Sequence, residues 1–170
     1  MFNPDIKLMR IDDGENGNPN FVARVPEYAT EGSAGMDLFS IQELKLEPMK
    51  PVIVHTGWKV EVPNGHELTI RSRSGLALTD GLIVLNSPGT VDEDFRGELC
   101  VILCWIGAET TLNKFKVEYK ECSSEKYLVI PAGSKIAQAV LSTVKHADIK
   151  IVDSLSSTDR GEGGFGHTGV

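Results

Sequence analysis

The stretch MKPVIVHTGWKVEV, Met49–Val62, alternates apolar and polar residues over most of its length. An alternation with a period of two predicts an extended strand that turns one face toward a core. Similar short runs recur along the chain, and turn residues such as PNGH, NSPG and PAGS separate them. Many short strands at this spacing predict an all-β sandwich or barrel.

The remaining organisation follows from the same pattern. One short helix is predicted in SGLAL and extends to Thr79, with Ser74 as its N-cap. The turn-rich stretch Asn86–Glu98 lies between two apolar runs and predicts a β-hairpin. We expect a β-domain over residues 1–153 and a glycine-rich C-terminal arm over residues 154–170. The further β-rich runs are IKLMRI, HELTIRSR, ELCVILCWIG, KYLVI, KIAQAVLSTV and DIKIV.

Composition excludes several classes of protein. The 170 residues, 41% of them hydrophobic, suit one domain with its own core. A net charge of −7 argues against a protein that binds duplex nucleic acid. The longest apolar run, Leu99–Ala108, is about half the length of a membrane-spanning helix, so we expect no membrane contact. The N-terminus shows no signal-peptide pattern, and we expect a cytoplasmic protein.

Cysteine and histidine usage predicts reduced thiols and argues against a zinc site. Three cysteines are an odd number, and Cys100 and Cys104 stand too far apart along one strand for a disulfide. The four histidines and three cysteines lack the spacing of zinc ligands. The sequence therefore predicts no zinc site.

The C-terminal arm ends on DRGEGGFGHTGV, Asp159–Val170. A frayed terminus would explain the glycines, but it would not explain one phenylalanine and one arginine among them. A segment that closes over a ligand would use ring stacking from Phe165, charge from Arg160 and close approach of glycine amides to phosphate. We favour this lid over simple fraying.

Four internal positions are candidates for chemistry, and each has a plainer alternative. Arg73, followed by Ser74 at the predicted helix start, suits a phosphate, or is a surface arginine beside an ordinary cap. Asp92 suits a general base, or is a turn carboxylate that binds local amides. Asp37 holds the water shell of Mg²⁺, or is a buried turn-former. Gln138 contacts a ligand, or bonds to neighbouring backbone.

Taken in order, five motifs resemble those of the trimeric dUTPase family. They are AGMDLFS, RSRSGLA, NSPGTVDEDFRGE, GSKIAQAV and RGEGGFGHTG, and they extend from Ala34 to Gly169. The resemblance implies a jelly-roll-like β-fold, a homotrimer with active sites at subunit interfaces, and an arm that covers a neighbouring site. It also implies a dUTP diphosphatase that converts dUTP to dUMP and pyrophosphate with Mg²⁺, limits uracil in DNA and supplies dUMP for thymidylate synthesis.

Site residues are assigned by the same resemblance. Asp92 is the expected base that activates water for attack on the α-phosphorus, and Asp37 is expected to hold Mg²⁺ through water. The residues expected to contact dUTP are Arg73, Ser74, Gly75 and Gln138 for phosphates, Asn86, Gly89 and Phe95 for the nucleoside, and Arg160, Phe165, Gly166, His167 and Thr168 from the arm.

Departures from the family pattern are few. Phe95 replaces a tyrosine, Ser72 replaces a proline and is expected to loosen its turn, and Lys135 replaces an arginine. The segment Thr110–Ile130 is about ten residues longer than the usual connection, and an extra surface hairpin is expected there.

Two rival functions remain open. A dCTP deaminase relative would need a catalytic glutamate where this chain has Ile102, which disfavours it. A nucleotide-dependent regulatory protein of the same fold would use the inserted segment to contact a partner.

Overall fold

Short strands account for most of the regular structure, as the alternating pattern predicts. The computed structural model describes residues 4–11, 23–107, 113–119 and 125–164. Within these ranges the chain forms twelve strands and one helix. In chain order they are β1 (Lys7–Arg10), β2 (Glu27–Tyr28), β3 (Met36–Phe39), β4 (Leu44–Leu46), β5 (Val52–Glu61), β6 (His66–Arg71), α1 (Ser74–Asp80), β7 (Leu82–Val84), β8 (Gly89–Val91), β9 (Glu98–Trp105), β10 (Lys116–Tyr119), β11 (Lys126–Ile130) and β12 (Lys135–Thr143).

The described strands form three sheets. The strand orders are β1-β5-β9-β7, β10-β11-β4 and β2-β3-β12-β6-β8. Each sheet ends on two edge strands, so the described part of the chain is a layered, jelly-roll-like arrangement and not a closed barrel. The prediction of an all-β fold with a single short helix is confirmed.

Strand β5 shows how the alternating pattern produces a buried face. Val54 and Thr56 are buried, whereas Ile53 and His55 between them are exposed. The Thr56 hydroxyl donates a hydrogen bond of 2.6 Å to the carbonyl oxygen of Leu99, which satisfies its polar atom inside the core. A bulge follows His55, and Gly57 adopts a positive φ of 78° there, a conformation that favours glycine.

The hydrophobic core draws on all three sheets. Leu38, Leu103, Trp105 and Leu128 are each 0% exposed and belong to one buried cluster. Full burial of such a side chain stabilises the fold by about 1.5–3 kcal/mol. The core therefore holds the three sheets, and the loops at their edges, in fixed relative positions.

The predicted helix is present, but its N-cap is not Ser74. Arg73 occupies the cap position with φ −86° and ψ 121°, Ser74 is the first helical residue, and no side chain caps the helix. Gly81 ends the helix in the left-handed region, with its N–H donating to the carbonyl of Leu76. A serine before an apolar turn does not by itself reveal which residue carries the extended cap conformation.

The stretch Asn86–Glu98, predicted as a β-hairpin, follows a more complex path. The flanking apolar strands β7 and β9 do pair antiparallel, from Leu82 opposite Trp105 to Val84 opposite Leu103. Between them, β8 leaves this sheet and pairs with β6 at the edge of the five-stranded sheet. The flanking strands therefore pair as a hairpin would, but the chain that connects them crosses to a second sheet and back.

Two other segments can be compared with their predictions. The expected extra hairpin in the inserted segment is confirmed, since β10 pairs antiparallel with β11. The run DIKIV, in contrast, forms no strand, and Ile149 and Ile151 are 93% and 100% exposed. The prediction of a strand there was wrong for this chain, because no described strand pairs with it.

In the described ranges, no helix is long and apolar enough to cross a membrane.

Asp80 links the helix to the inserted segment. Its carboxylate is 0% exposed, and Oδ1 accepts hydrogen bonds from the backbone N–H groups of Lys114 at 2.7 Å and Phe115 at 2.9 Å. A buried acceptor of this kind fixes the start of β10 against the end of α1. The two N–H groups would lose their partner without it.

We predict that Asp80→Ala lowers the free energy of unfolding by roughly 2–4 kcal/mol, because two backbone donors lose their acceptor. Urea denaturation followed by circular dichroism measures the change. Asp148→Ala, at an exposed position, is the matched control and should alter stability by less than about 0.5 kcal/mol. Equal stability of the two variants would contradict the role given to Asp80.

Candidate active site

A polar cleft lies where β3, β12 and the junction between β6 and α1 meet. Its walls include Asp37, Arg73, Ser74, Gly75 and Gln138, and its volume is about 380 Å³. We call this the arginine cleft. Strand β12 lies between β3 and β6, so Gln138 stands opposite Asp37 on one side and opposite Arg71 on the other. Sheet pairing therefore brings together residues from three separate sequence motifs.

Asp37 lies between two cations at the floor of the arginine cleft. Its side chain is 10% exposed, and its oxygens lie 2.6 Å from Nζ of Lys135 and 3.1 Å from Nε of Arg73. Arg73 also donates from Nη1 to the backbone carbonyl of Lys135 at 3.3 Å. The hydrogen bond to Asp37 raises the pKa of Lys135 above the usual lysine value. Asp37 thus orients both cationic side chains.

Gln138, in the wall of the cleft, is hydrogen-bonded to the turn at Ser72. The Gln138 amide Nε2 donates to the carbonyl of Ser72 at 3.2 Å, which agrees with the plainer of its two interpretations. Ser72 Oγ accepts from the N–H of Val84 at 2.9 Å, and its own N–H donates to Ser87 Oγ at 3.3 Å. The expectation that serine loosens this turn was wrong, because these side-chain hydrogen bonds anchor it on both sides.

A second cavity, of about 250 Å³, lies along β8 and β9. Asn86, Gly89 and Phe95 contribute to its walls, together with Cys100 and Ile102 on β9. We call this the base cavity, after the nucleobase that the sequence resemblance predicts Asn86 and Gly89 to contact. Gly89 is buried, and a Cβ atom there would lie only 3.0 Å from Nδ2 of Asn86, so the position tolerates no side chain without a shift.

The ring of Phe95 packs against the backbone of Gly97. A Cβ atom on Gly97 would lie 2.6 Å from Cζ of this ring, which is closer than real contacts allow. Phe95 nevertheless remains accessible, since 39% of its surface is exposed. The Phe95 N–H also donates to the carbonyl of Asp92 at 3.2 Å, which closes the turn after β8. The ring is therefore held in place but still available to a ligand.

Asp92 follows β8 directly, at the end of the strand that lines the base cavity. Its side chain is exposed and borders a third cavity, which is shared with His66, Glu93 and His146. Asp92 does not line the arginine cleft or the base cavity of its own chain. In the described chain, the residue predicted as general base, the residues predicted to contact phosphate and those predicted to contact the nucleoside therefore line three different cavities.

The arm contributes one described candidate. Arg160 is exposed, and its Nε donates to the carbonyl of Gly163 at 2.9 Å, a contact that stays within the arm. The other predicted contacts from the arm, Phe165, Gly166, His167 and Thr168, lie outside the described residues.

Lys114 lies beside Gly75, which lines the arginine cleft, and the sequence motifs did not point to this lysine. Its Nζ lies 3.4 Å from the position that a Cβ atom on Gly75 would occupy, and its backbone is held by Asp80. No described acidic side chain forms an ion pair with it. Lys114 belongs to no recognised motif. Its position beside the start of α1 is seen only in the folded chain.

Comparison with known proteins agrees with this geometry. Residues 22–169 match the dUTPase family. A deoxyuridine 5'-triphosphate nucleotidohydrolase of Alkaliphilus metalliredigens (strain QYMF) is 47% identical over 170 residues, covering 100% of this chain and 99% of that protein.

Solved structures show the same fold. A mutant dUTPase of Staphylococcus bacteriophage 80alpha with dUpNHpp is 26% identical, with a TM-score of 0.75 and coverage of 98% of this chain and 99% of that one. A mutant dUTPase from phage phi11 of S. aureus, described with a structural Mg(II) ion, is 21% identical, with a TM-score of 0.67 and coverage of 88% and 97%. The matched residues contain every element that builds the arginine cleft and the base cavity, and the chain belongs to the dUTPase family.

Proposed function

We propose that this protein hydrolyses dUTP to dUMP and pyrophosphate. The observation that carries the proposal is the pairing of a cationic cleft with a separate base cavity whose glycine and phenylalanine stand at the family's motif positions. The relatives named above carry this activity in their names. A triphosphate needs cationic donors, and a base needs a narrow cavity with fixed polar groups.

Phosphate binding is assigned to the arginine cleft. Arg73 offers guanidinium donors that Asp37 already orients, and less side-chain entropy is lost when an oriented group binds. Ser74 and Gly75 add a hydroxyl and backbone amides, and Gln138 lies on the facing strand. Lys114 adds a second cation beside Gly75. Together these groups offset the negative charge of a triphosphate within an acidic protein.

Selection of deoxyuridine is assigned to the base cavity. The close contact between Gly89 and Asn86 leaves little space near the backbone of β8, which disfavours a base with an added methyl group. Fixed polar groups that match uracil would lose partners with cytosine, at about 1–3 kcal/mol for each unpaired group. The ring of Phe95, held on Gly97, would contact the sugar where a 2′-hydroxyl would otherwise lie.

Asp92 is proposed as the general base. It would accept a proton from water as the water oxygen bonds to the α-phosphorus and the bond to the pyrophosphate oxygen breaks. Most of the remaining rate enhancement would come from positioning and from charge stabilisation by the cleft.

The complete site is proposed to form between copies of the chain. In one chain, Asp92 and the base cavity open apart from the arginine cleft, so a nucleotide would need surfaces from more than one subunit. Ile53, at the base cavity, is 61% exposed, and Leu85, which directly precedes the cavity residue Asn86, is 50% exposed. Exposed apolar side chains of this kind suit burial against a neighbour. We propose a homotrimer in which the arm, residues 154–170, closes over a neighbouring site.

The magnesium assignment to Asp37 is not supported by its surroundings. Both carboxylate oxygens are paired with cations, whereas Mg²⁺ prefers negatively charged oxygens that are free to bind it or its waters. Asp37 is better suited to orient Arg73 and Lys135. A requirement for Mg²⁺, carried in with the triphosphate, stays a prediction from the family, as does a cytoplasmic location.

The deaminase alternative gains no support. Ile102, the position where that activity would need a glutamate, lines the base cavity with an apolar side chain. A regulatory role for the inserted segment likewise rests on no described contact.

The proposed substrate is tested by measuring pyrophosphate release with Mg²⁺ and each of dUTP, dCTP, dTTP and UTP. We expect rapid release from dUTP, and kcat/KM lower by roughly a hundredfold or more for the others. Cytosine would leave polar groups of the cavity unpaired, whereas the 5-methyl group of dTTP and the 2′-hydroxyl of UTP would collide with its walls. Comparable release from dCTP or UTP would refute the assignment of the base cavity.

We predict that Asp92→Asn lowers kcat by roughly 10²–10⁴-fold, because an amide cannot accept the proton from water. Binding of a non-hydrolysable dUTP analogue, measured by calorimetry, should change little. Asp94→Asn is the matched control, since Asp94 is a neighbouring exposed carboxylate at the same cavity. If both variants keep full turnover, Asp92 is not the base.

We also predict that Lys114→Gln raises KM for dUTP by roughly tenfold, because a charge-assisted contact to phosphate is lost. Lys116→Gln, two residues along the same segment, removes an exposed lysine that pairs with Glu118 and should leave KM unchanged. Steady-state kinetics on both variants decides the matter, and an unchanged KM for Lys114→Gln would remove this residue from the site.

A further inference from the structure

Three potential metal ligands converge on the outer face of β5 and β9. His55 stands directly opposite Cys100 in the antiparallel register. Glu98 precedes Cys100 by two residues on the same strand, so both side chains point to the same face. We call these three residues the thiol cluster. Strand pairing assembles it from positions that have no recognisable spacing in the sequence.

The ligand atoms of the thiol cluster lie close together. Nδ1 of His55 is 2.7 Å from Oε2 of Glu98 and 3.5 Å from Sγ of Cys100, and all three atoms lie within 4.8 Å of one another. The other carboxylate oxygen, Oε1, accepts a hydrogen bond of 2.9 Å from the backbone N–H of Gly57. The bulge at Gly57 thus fixes the carboxylate and leaves Oε2 directed at the imidazole.

We propose that the thiol cluster binds one thiophilic divalent cation of the Zn²⁺ type. Zinc bonds of about 2.3 Å to sulfur and about 2.0–2.1 Å to nitrogen, at a tetrahedral angle, separate the two ligand atoms by roughly 3.5–3.6 Å. The observed distance between sulfur and nitrogen already matches this value. The distance between nitrogen and oxygen, now 2.7 Å, would open by about 0.6–0.8 Å as the ion replaces their hydrogen bond.

Charge balance supports a divalent ion at this place. When the ion binds, the thiol proton leaves to solvent, the imidazole proton resides on Nε2, and the lone pair of Nδ1 faces the metal. The carboxylate and the thiolate then offset both positive charges.

The ligand set separates this site from the ion that accompanies a nucleotide. Sulfur and nitrogen ligands select zinc-like cations, whereas Mg²⁺ requires an octahedral shell of oxygens. His55 is half exposed, which leaves room for water as a fourth ligand. Glu98 and Cys100 also line the base cavity, so the bound ion would lie at its wall. The site does not depend on nucleotide hydrolysis and is measurable without nucleotide.

Cobalt is a suitable probe because Co²⁺ takes the same ligands as Zn²⁺ and absorbs visible light. We expect the full-length, chelator-treated protein to bind one Co²⁺ per chain. The complex should show the intense visible bands of four-coordinate cobalt and a near-ultraviolet charge-transfer band from a cobalt–thiolate bond. Added Zn²⁺ should bleach both signals.

Matched variants decide whether the thiol cluster is the site. Cys100→Ser should abolish the charge-transfer band, and His55→Ala should weaken Co²⁺ binding at least about tenfold. Cys104→Ser makes the same change at another cysteine of β9 and should keep the band, and His66→Ala gives a second control at another histidine. The proposal is overturned if the unaltered protein binds no Co²⁺, if its complex lacks the charge-transfer band, or if Cys100→Ser retains that band.

Discussion

The pairing of β12 with both β3 and β6 is the constraint on which the arginine cleft depends. Because β12 lies between these strands, Gln138 is in register with Asp37 on one side and with Arg71 on the other. The chain leaves β6 two residues before α1, so Arg73 reaches back to Asp37 at 3.1 Å. A shift of one residue between β3 and β12 would turn Asp37 to the opposite face of the sheet. A shift between β12 and β6 would displace the start of α1, and Arg73 with it, relative to Asp37.

Buried charge gives this cleft a defined shape. Asp37 carries its negative charge in a nearly enclosed position, which is costly unless cations compensate it. Lys135 and Arg73 provide that compensation, and Lys135 also lies 3.5 Å from Glu27. The cationic groups are thus held by the protein before any anion arrives. An oriented cleft of this kind suits a ligand that carries several negative charges.

Much of the fold followed from the sequence because alternation reports burial directly. β5 and β11 lie within the runs that predicted them, and the inserted segment pairs as expected. Residues whose roles depend on distant partners could not be predicted. The cap at Arg73, the excursion of β8, the anchoring of Ser72 and the approach of Lys114 to Gly75 all arise from contacts across the fold. His55 and Cys100 face each other for the same reason.

The contact between Phe95 and Gly97 limits how this sequence can change over time. A side chain at position 97 would meet the ring of Phe95, so such a mutation requires the ring to move or a smaller residue at position 95. A smaller residue would lack the ring that lines the base cavity. The two positions are therefore coupled, and the residue at one restricts which residues the other can accept.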